Sequence, residues 1–199
     1  MGRPRAFDIE EAVAAATKLF WQGYDRTSLT DLTGALGIAP ASFYFAFGSK
    51  EALFRRVVDR YVAFQAEAFE RAFQASTTAA GVRALLRGYV DVVTDPEHAP
   101  GCLVVNNSPC NDAGDALRQW LAGHREALRT RLENRFSADL AVGKLPDDFD
   151  SEAMARFVVT LAGGLAVEAQ SGAGRRDLST VVEFALRDFP GCALDQLTV

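Results

Sequence analysis

The chain has 199 residues, 49% of them hydrophobic, and a formal net charge of −5. That supplies enough apolar side chain for a core in one or two domains, and excludes a surface that coats nucleic acid everywhere, though not a local binding patch. The charge is uneven: residues 1–60 hold eight Lys/Arg against seven Asp/Glu, whereas residues 61–199 hold thirteen against nineteen.

Asp8 followed by Glu11 resembles a capping pair, and Ile9, Val13, Ala16 and Phe20 then recur at helical spacing until Gly23. Ser28 with Asp31 three residues on starts a second, short helix carrying Leu29, Leu32 and Leu36, which Gly37 ends by reaching positive φ. Pro40 suits the first turn of a third helix, which Gly48-Ser49 breaks after less than three turns. From Lys50 to about Gln74 two apolar stripes run side by side, Leu53, Val57, Tyr61, Phe64 and Ala68 beside Phe54, Val58, Phe69 and Phe73. So wide a face predicts contact on more than one side.

A fifth helix over roughly 79–94 carries Val82, Leu85, Leu86, Tyr89 and Val93. Pro96 and Pro100 open a stretch, "GCLVVNNSPCND", expected to be irregular. Leu117, Trp120, Leu121, His124, Leu128 and Leu132 then mark a long helix from Asp112 to about Ala138, with "GKLPDDFD" as the loop after it. Helices over about 151–171 and 177–189 follow, separated by "SGAGRR" and closed by Pro190-Gly191. No segment alternates as a strand does, so the expected fold is all-α.

Three cysteines, Cys102, Cys110 and Cys192, are an odd number without a disulfide framework, which fits a reducing compartment. No apolar run approaches the ~18–20 residues of a membrane span. "MGRPRAFD" lacks a signal peptide's apolar stretch and, with Ala6, the Ser/Thr of a myristoylation motif. The expected location is the cytoplasm, with no membrane partner.

Helix, glycine turn and short helix over 27–50 is the order of a helix-turn-helix. Leu32 and Leu36 are expected to face inward with Ile38 under the turn, while Phe43 and Phe47, four apart, anchor the second helix. Ala41, Ser42, Tyr44, Phe45 and Ala46 then fall on other faces. Small residues let the start of this helix approach base edges, and its positive end favours phosphate.

These residues carry a resemblance. "GRPRAFD…AATKLFWQGYDRTSLTDLTGALGIAPASFYFAFGSKEALF" resembles the DNA-binding domain of the TetR/AcrR family of bacterial transcriptional regulators over about residues 2–55, and the rest resembles the family only in architecture. The resemblance implies an N-terminal three-helix domain (1–49) whose third helix reads the major groove. A helical effector-binding and dimerisation domain (50–190) and a tail (191–199) follow. It implies that Thr27, Ser28, Tyr44 and Lys50 contact phosphates, that Ala41 and Ser42 approach bases, and that Arg3 and Arg5 form an arm. Many members carry a polar residue or His where this chain has Ala46, so specificity is expected to lean on thymine methyls and DNA shape.

The partners so implied are double-stranded operator DNA, a small-molecule effector and a second copy of the chain; no cofactor or metal is expected. Asn106 and Asn107, amides in an apolar region, are expected to find partners or line a cavity with Phe64, Tyr89, Cys102, Trp120 and Phe157. Gly163-Gly164 costs a helix interior about 1 kcal/mol per residue relative to Ala, which close approach of another helix would excuse. By resemblance that helix belongs to the second subunit, at an interface of Leu161, Gly164, Leu165, Val181, Phe184 and Ala185. His124, on an apolar stripe, is expected to be a satisfied interior histidine.

The function expected is a ligand-responsive repressor that releases a palindromic operator when a mostly apolar effector binds. Two alternatives stand beside it. Cys102 lies in a stretch similar to the sixth helix of members that sense electrophiles or oxidants through cysteine, so it is also a candidate redox sensor. The other is an enzyme on a helical scaffold, although no HExxH, Cys-x-x-Cys or Gly-rich phosphate loop is present.

Overall fold

The computed structural model describes residues 8–108 and 114–190. All regular structure among them is helical: α1 (Ile9–Phe20), α2 (Leu29–Leu36), α3 (Pro40–Phe47), α4 (Lys50–Phe73), α5 (Thr78–Val93), α6 (Leu103–Asn106), α7 (Gly114–Ala141), α8 (Ser151–Gln170) and α9 (Arg175–Ala185).

Local chemistry sets the N-terminal boundaries. Asp8 Oδ1 accepts from the Glu10 and Glu11 amides, and so caps α1. Ser28 and Asp31 form a reciprocal capping box at α2, and the Ser28 hydrogen bonds hold the Asp31 carboxyl below the usual range. Gly37 closes α2 in the left-handed conformation, φ 64° and ψ 32°, where a Cβ would be strained. Ser49 Oγ caps α4 by accepting from the Ala52 amide.

The first three helices pack as a unit whose core includes Ala16, Phe20, Leu32, Phe43 and Phe47, and α1 packs on the start of α4. Phe20 meets Phe54 of α4 edge-on at 5.0 Å between ring centres. Each fully buried ring contributes about 2–3 kcal/mol of transfer free energy. Two aromatic anchors in an eight-residue helix thus supply what its length cannot.

The larger part is a bundle in which α7 packs on α8, α5 on α4, α8 and α9, and α6 on α4 and α8. Its α5–α7 corner is held by Asp139, which accepts from Thr78 Oγ1 (2.7 Å) and Arg135 Nε (2.7 Å). Burial would raise that carboxyl, but these hydrogen bonds and the charges of Arg135 and Lys144 outweigh it and hold it below its ordinary range.

The stretch expected to be irregular contains the four-residue helix α6. Gly101, with φ 103°, precedes it; a Cβ there would lie 2.6 Å from Asn106 Oδ1. The turn that launches α6 therefore needs glycine for both conformation and space. So short a helix carries no amphipathic period to read.

Candidate nucleic-acid interface and effector cavity

The outer surface of α3 follows from which rings are buried. Phe43 and Phe47 point inward, leaving Ala41, Ser42, Tyr44 and Phe45 exposed, with Ala46 half-buried. Phe45 is 95% exposed, the most open large apolar side chain among the described residues. No side chain caps α3, and Pro40 opens it, so the first-turn amides face solvent at the helix's positive end. Such an end suits a phosphate.

Thr27 departs from its expected role. It is 3% exposed, and its hydroxyl donates to Leu19 O (3.1 Å) and Gly23 O (2.9 Å). Thr27 closes the α1–α2 loop; it is not a phosphate donor in this conformation. Ser28 is exposed, but its hydroxyl serves the cap, donating to Asp31 Oδ2 at 2.6 Å. The Lys50 ammonium lies 4.1 Å from the centre of the Tyr24 ring, which fixes a cation at the start of α4. Arg3 and Arg5 lie outside the described residues.

A cavity of about 120 Å³ lies between α4, α5, α6, α7 and α8. Val62, Ala66 and Phe69 of α4, Val104 and Val105 of α6, Leu128 of α7 and Val159 and Ala162 of α8 make it mainly apolar. Its polar groups are Gln65, Tyr89, Cys102, His124, Arg125 and Arg131. Tyr61 donates to Cys102 Sγ at 3.4 Å, and Gln65 Nε2 donates to Tyr61 Oη at 2.7 Å. Tyr89 also bonds to the sulfur. Burial, and then the Cys102 sulfur, push both phenols well above the usual tyrosine range, so they remain neutral donors.

Of the residues expected here, Tyr89 and Cys102 line the cavity. Phe64 does not: it is 64% exposed, on the outer side of α4 towards α5. Trp120 lies outside as well, with the Arg55 guanidinium 4.6 Å from its ring and His124 edge-on. Phe157 is exposed on α8. The sequence reading missed Gln65, His124 and Arg125. His124 differs from expectation also in that its buried Nε2 has no hydrogen-bond partner among the described residues. Burial lowers its pKa, against the pull of Asp59.

Asn106 and Asn107 are corrected more sharply. Neither lines the cavity; both join α6 to the N-terminal unit. Asn107 Oδ1 accepts from the Tyr24 amide (2.5 Å), while its Nδ2 donates to Phe20 O (3.0 Å) and Leu103 O (2.8 Å). Asn106 Nδ2 donates to Trp21 O (3.2 Å), and its Oδ1 accepts from the Cys102 amide (3.1 Å). A four-residue helix thus has one wall in the cavity and two amides on the end of α1. Tyr24, at the end of that latch, is the ring beneath Lys50.

The last two helices leave Phe157, Gly164, Val167, Val181 and Phe184 exposed, with Leu161 and Ala185 half-buried beside them. Leu165 does not join this face; it is buried in its own bundle. A Cβ on Gly164 would meet nothing within 4 Å, and one on Gly163 only Arg125 Nη2 at 3.9 Å. Nothing within the described chain requires either residue to be glycine. Among the described residues no helix is long and apolar enough to cross a membrane.

Comparison with known proteins agrees with this architecture. Residues 12–57 match the model for bacterial regulatory proteins of the tetR family, and residues 78–182 the tetracyclin repressor-like C-terminal domain. The chain is 33% identical over 198 residues to the HTH-type transcriptional repressor ComR of Escherichia coli K12, covering 95% of this chain and 92% of that protein. Over 66 residues it is 52% identical to the repressor BdcR of the same organism, covering 33% of this chain and 34% of BdcR. Among solved structures it is similar to the TetR family regulator CifR, as a cysteine mutant complexed with 26-base-pair double-strand operator DNA, with 38% identity and a TM-score of 0.88, over 94% of this chain and 100% of that one. The chain belongs to the TetR family: it is a DNA-binding transcriptional regulator, not an enzyme.

Proposed function

We propose that this regulator is a homodimeric cytoplasmic repressor that releases a near-palindromic operator when a small, mostly apolar effector fills the cavity between α4 and α8. Residues 1–49 form the reading domain, residues 50–190 the effector and dimerisation domain, and residues 191–199 a tail. Ala41 and Ser42 approach base edges, Tyr44 and Lys50 hold phosphates, Ser28 stays with its cap on Asp31, and Arg3 and Arg5 serve as an arm. The exposed faces of α8 and α9 meet their copies across a two-fold axis, which sets two reading helices ~34–36 Å apart, one turn of DNA, or a small multiple of it.

The observation that carries this reading is the α6 latch. Cys102, Val104 and Val105 face the cavity, and the next two residues bond to Phe20, Trp21 and Tyr24 of the reading domain. A ligand that displaces α6 must move or break those bonds, and it shifts the population towards a spacing of reading helices that no longer fits adjacent grooves. The α4 helix, with 24 residues and roughly 36 Å long, spans both sites and supplies a rigid lever.

The test begins with genomic fragments bound by the purified protein, from which the operator is defined. Operator affinity is then measured with and without cavity ligands found by thermal-shift screening. Ligands that fill the cavity should weaken binding; a panel of tight cavity ligands that all leave it unchanged would overturn the proposal. Cys102→Ser should retain the response, and loss of all response in that variant would favour cysteine chemistry instead.

A further inference from the structure

We infer that the effector is a small monoanion: a body about the size of one six-membered ring carrying a single carboxylate or equivalent acidic group, held at Arg125. This rests on the reading of the cavity as the effector site and adds the chemical class of its occupant.

Size comes first. A cavity of about 120 Å³ is close to the ~150 Å³ apolar cavity that accommodates benzene in another protein. One ring or a short branched chain therefore fills it, and a fused polycycle does not.

Charge then selects the polar end. The lining contains no Asp or Glu, and its charged members are Arg125 and Arg131. Arg131 is already paired with Glu70. Neighbouring Arg129, half-buried, is held by Glu126 and Glu133. Arg125 differs from both: among the described residues no carboxylate pairs with it. Arg125 is exposed and lines both the cavity and a separate groove between α7 and α8, where Glu126 is engaged by Arg129, and its charge is felt at the Tyr89 phenol, where it opposes the upward shift. A cation without a carboxylate partner therefore borders an otherwise mainly apolar hole. An anion bound there gains a planar, two-pronged donor and keeps one face near solvent, which limits its desolvation penalty. A cationic ligand would meet the same guanidinium at close range with no counter-charge in the lining.

Benzoate is the probe, with nitrobenzene as its neutral counterpart of the same shape and benzylamine as the cation. Calorimetric titration of the full-length dimer should show benzoate binding about 10–100-fold more tightly than nitrobenzene, the range for a charge-assisted contact. Benzylamine should not compete. Arg125→Gln, at an exposed position and with an unchanged melting temperature as the check on its fold, should erase the preference and leave nitrobenzene affinity unchanged. Arg131→Gln should preserve it. Equal affinities for benzoate and nitrobenzene, no binding of either, or a preference that survives Arg125→Gln would each overturn the inference. If nitrobenzene weakens operator binding as strongly as benzoate, the anion assignment fails while the repressor reading stands. If benzoate binds as described yet operator affinity is unmoved, the anion is not the effector and the inference fails, while the release reading falls only if neutral cavity ligands are silent as well.

Discussion

Removing the Asn107 side chain should separate the cavity from the reading domain. In Asn107→Ala the buried Tyr24 amide loses its acceptor and the Leu103 carbonyl loses the Asn107 donor, while the Phe20 carbonyl keeps the Gly23 amide. Each unmatched buried group costs about 1–3 kcal/mol, and water entering the vacated space recovers part of it, so the net loss should be about 2–4 kcal/mol. For a chain of this length that is a fall in melting temperature of roughly 5–15 °C. The larger consequence concerns coupling. An effector changes operator affinity by a factor that typically corresponds to 1–3 kcal/mol, roughly 5–150-fold, and without the latch that factor should fall towards one. Fluorescence anisotropy of labelled operator, with and without a cavity ligand, reads it directly. Leu132→Ala is the control: Leu132 is fully buried in α7, and its loss should cost a comparable 2–5 kcal/mol without touching the latch. If both variants kept full coupling, or both lost it, α6 would not be the connection.

Three further outcomes follow from the geometry. Phe45, the most open ring on the outer face of α3, is expected to pack on a thymine methyl: Phe45→Ala should lower operator affinity by about 1–3 kcal/mol, and replacing that thymine with deoxyuridine should cost the wild type but not the variant; equal sensitivity in the two proteins would place the ring elsewhere. Gly164→Leu should be tolerated by the protomer, since its Cβ meets nothing there, yet sedimentation should show a broken dimer and the operator complex should weaken with it; a normal dimer would move the interface off α8. Asp139→Asn should destabilise at neutral pH. The folded carboxyl titrates below its ordinary 3.8, so its contribution is complete above that value and lost as pH falls through the lower folded one. The difference in melting temperature between the two proteins should therefore narrow as pH falls below 3.8 and the folded carboxyl becomes protonated, and a constant difference would show that charge is not the cause.

The elements that the sequence displayed best are those whose signals are local. Asp8, Ser28 and Gly37 mark helix ends through their own backbone chemistry, and the four-residue spacing of Phe43 and Phe47 dictates which side of α3 is buried. Those residues also placed Ala41, Ser42 and Tyr44 on the open face. Thr27 was misplaced because its role depends on two carbonyls, Leu19 and Gly23, that a turn brings within reach only in three dimensions. The cavity was the least legible part. Its walls come from five helices, so an aromatic such as Phe64 or Trp120 on an apolar stripe faces a neighbour or solvent according to helix rotations that no single stripe records. Asn106 and Asn107 stood out correctly as amides needing partners, but those partners are main-chain groups more than eighty residues away. Leu165 and Phe157 exchanged roles for the same reason: eight positions apart on one helix, they face its own bundle and its outer surface respectively.

The central claim is that cavity and operator are linked through the fold, and reciprocity makes it measurable in a single closed cycle. The affinity of one cavity ligand is titrated calorimetrically against the free protein and against the protein saturated with operator duplex. Operator affinity is then titrated with the ligand absent and saturating. The account predicts two equal ratios, both above one and on the order of 5–150-fold. A ligand that occupies the cavity with the same affinity in both states, and leaves operator affinity unchanged, would contradict it.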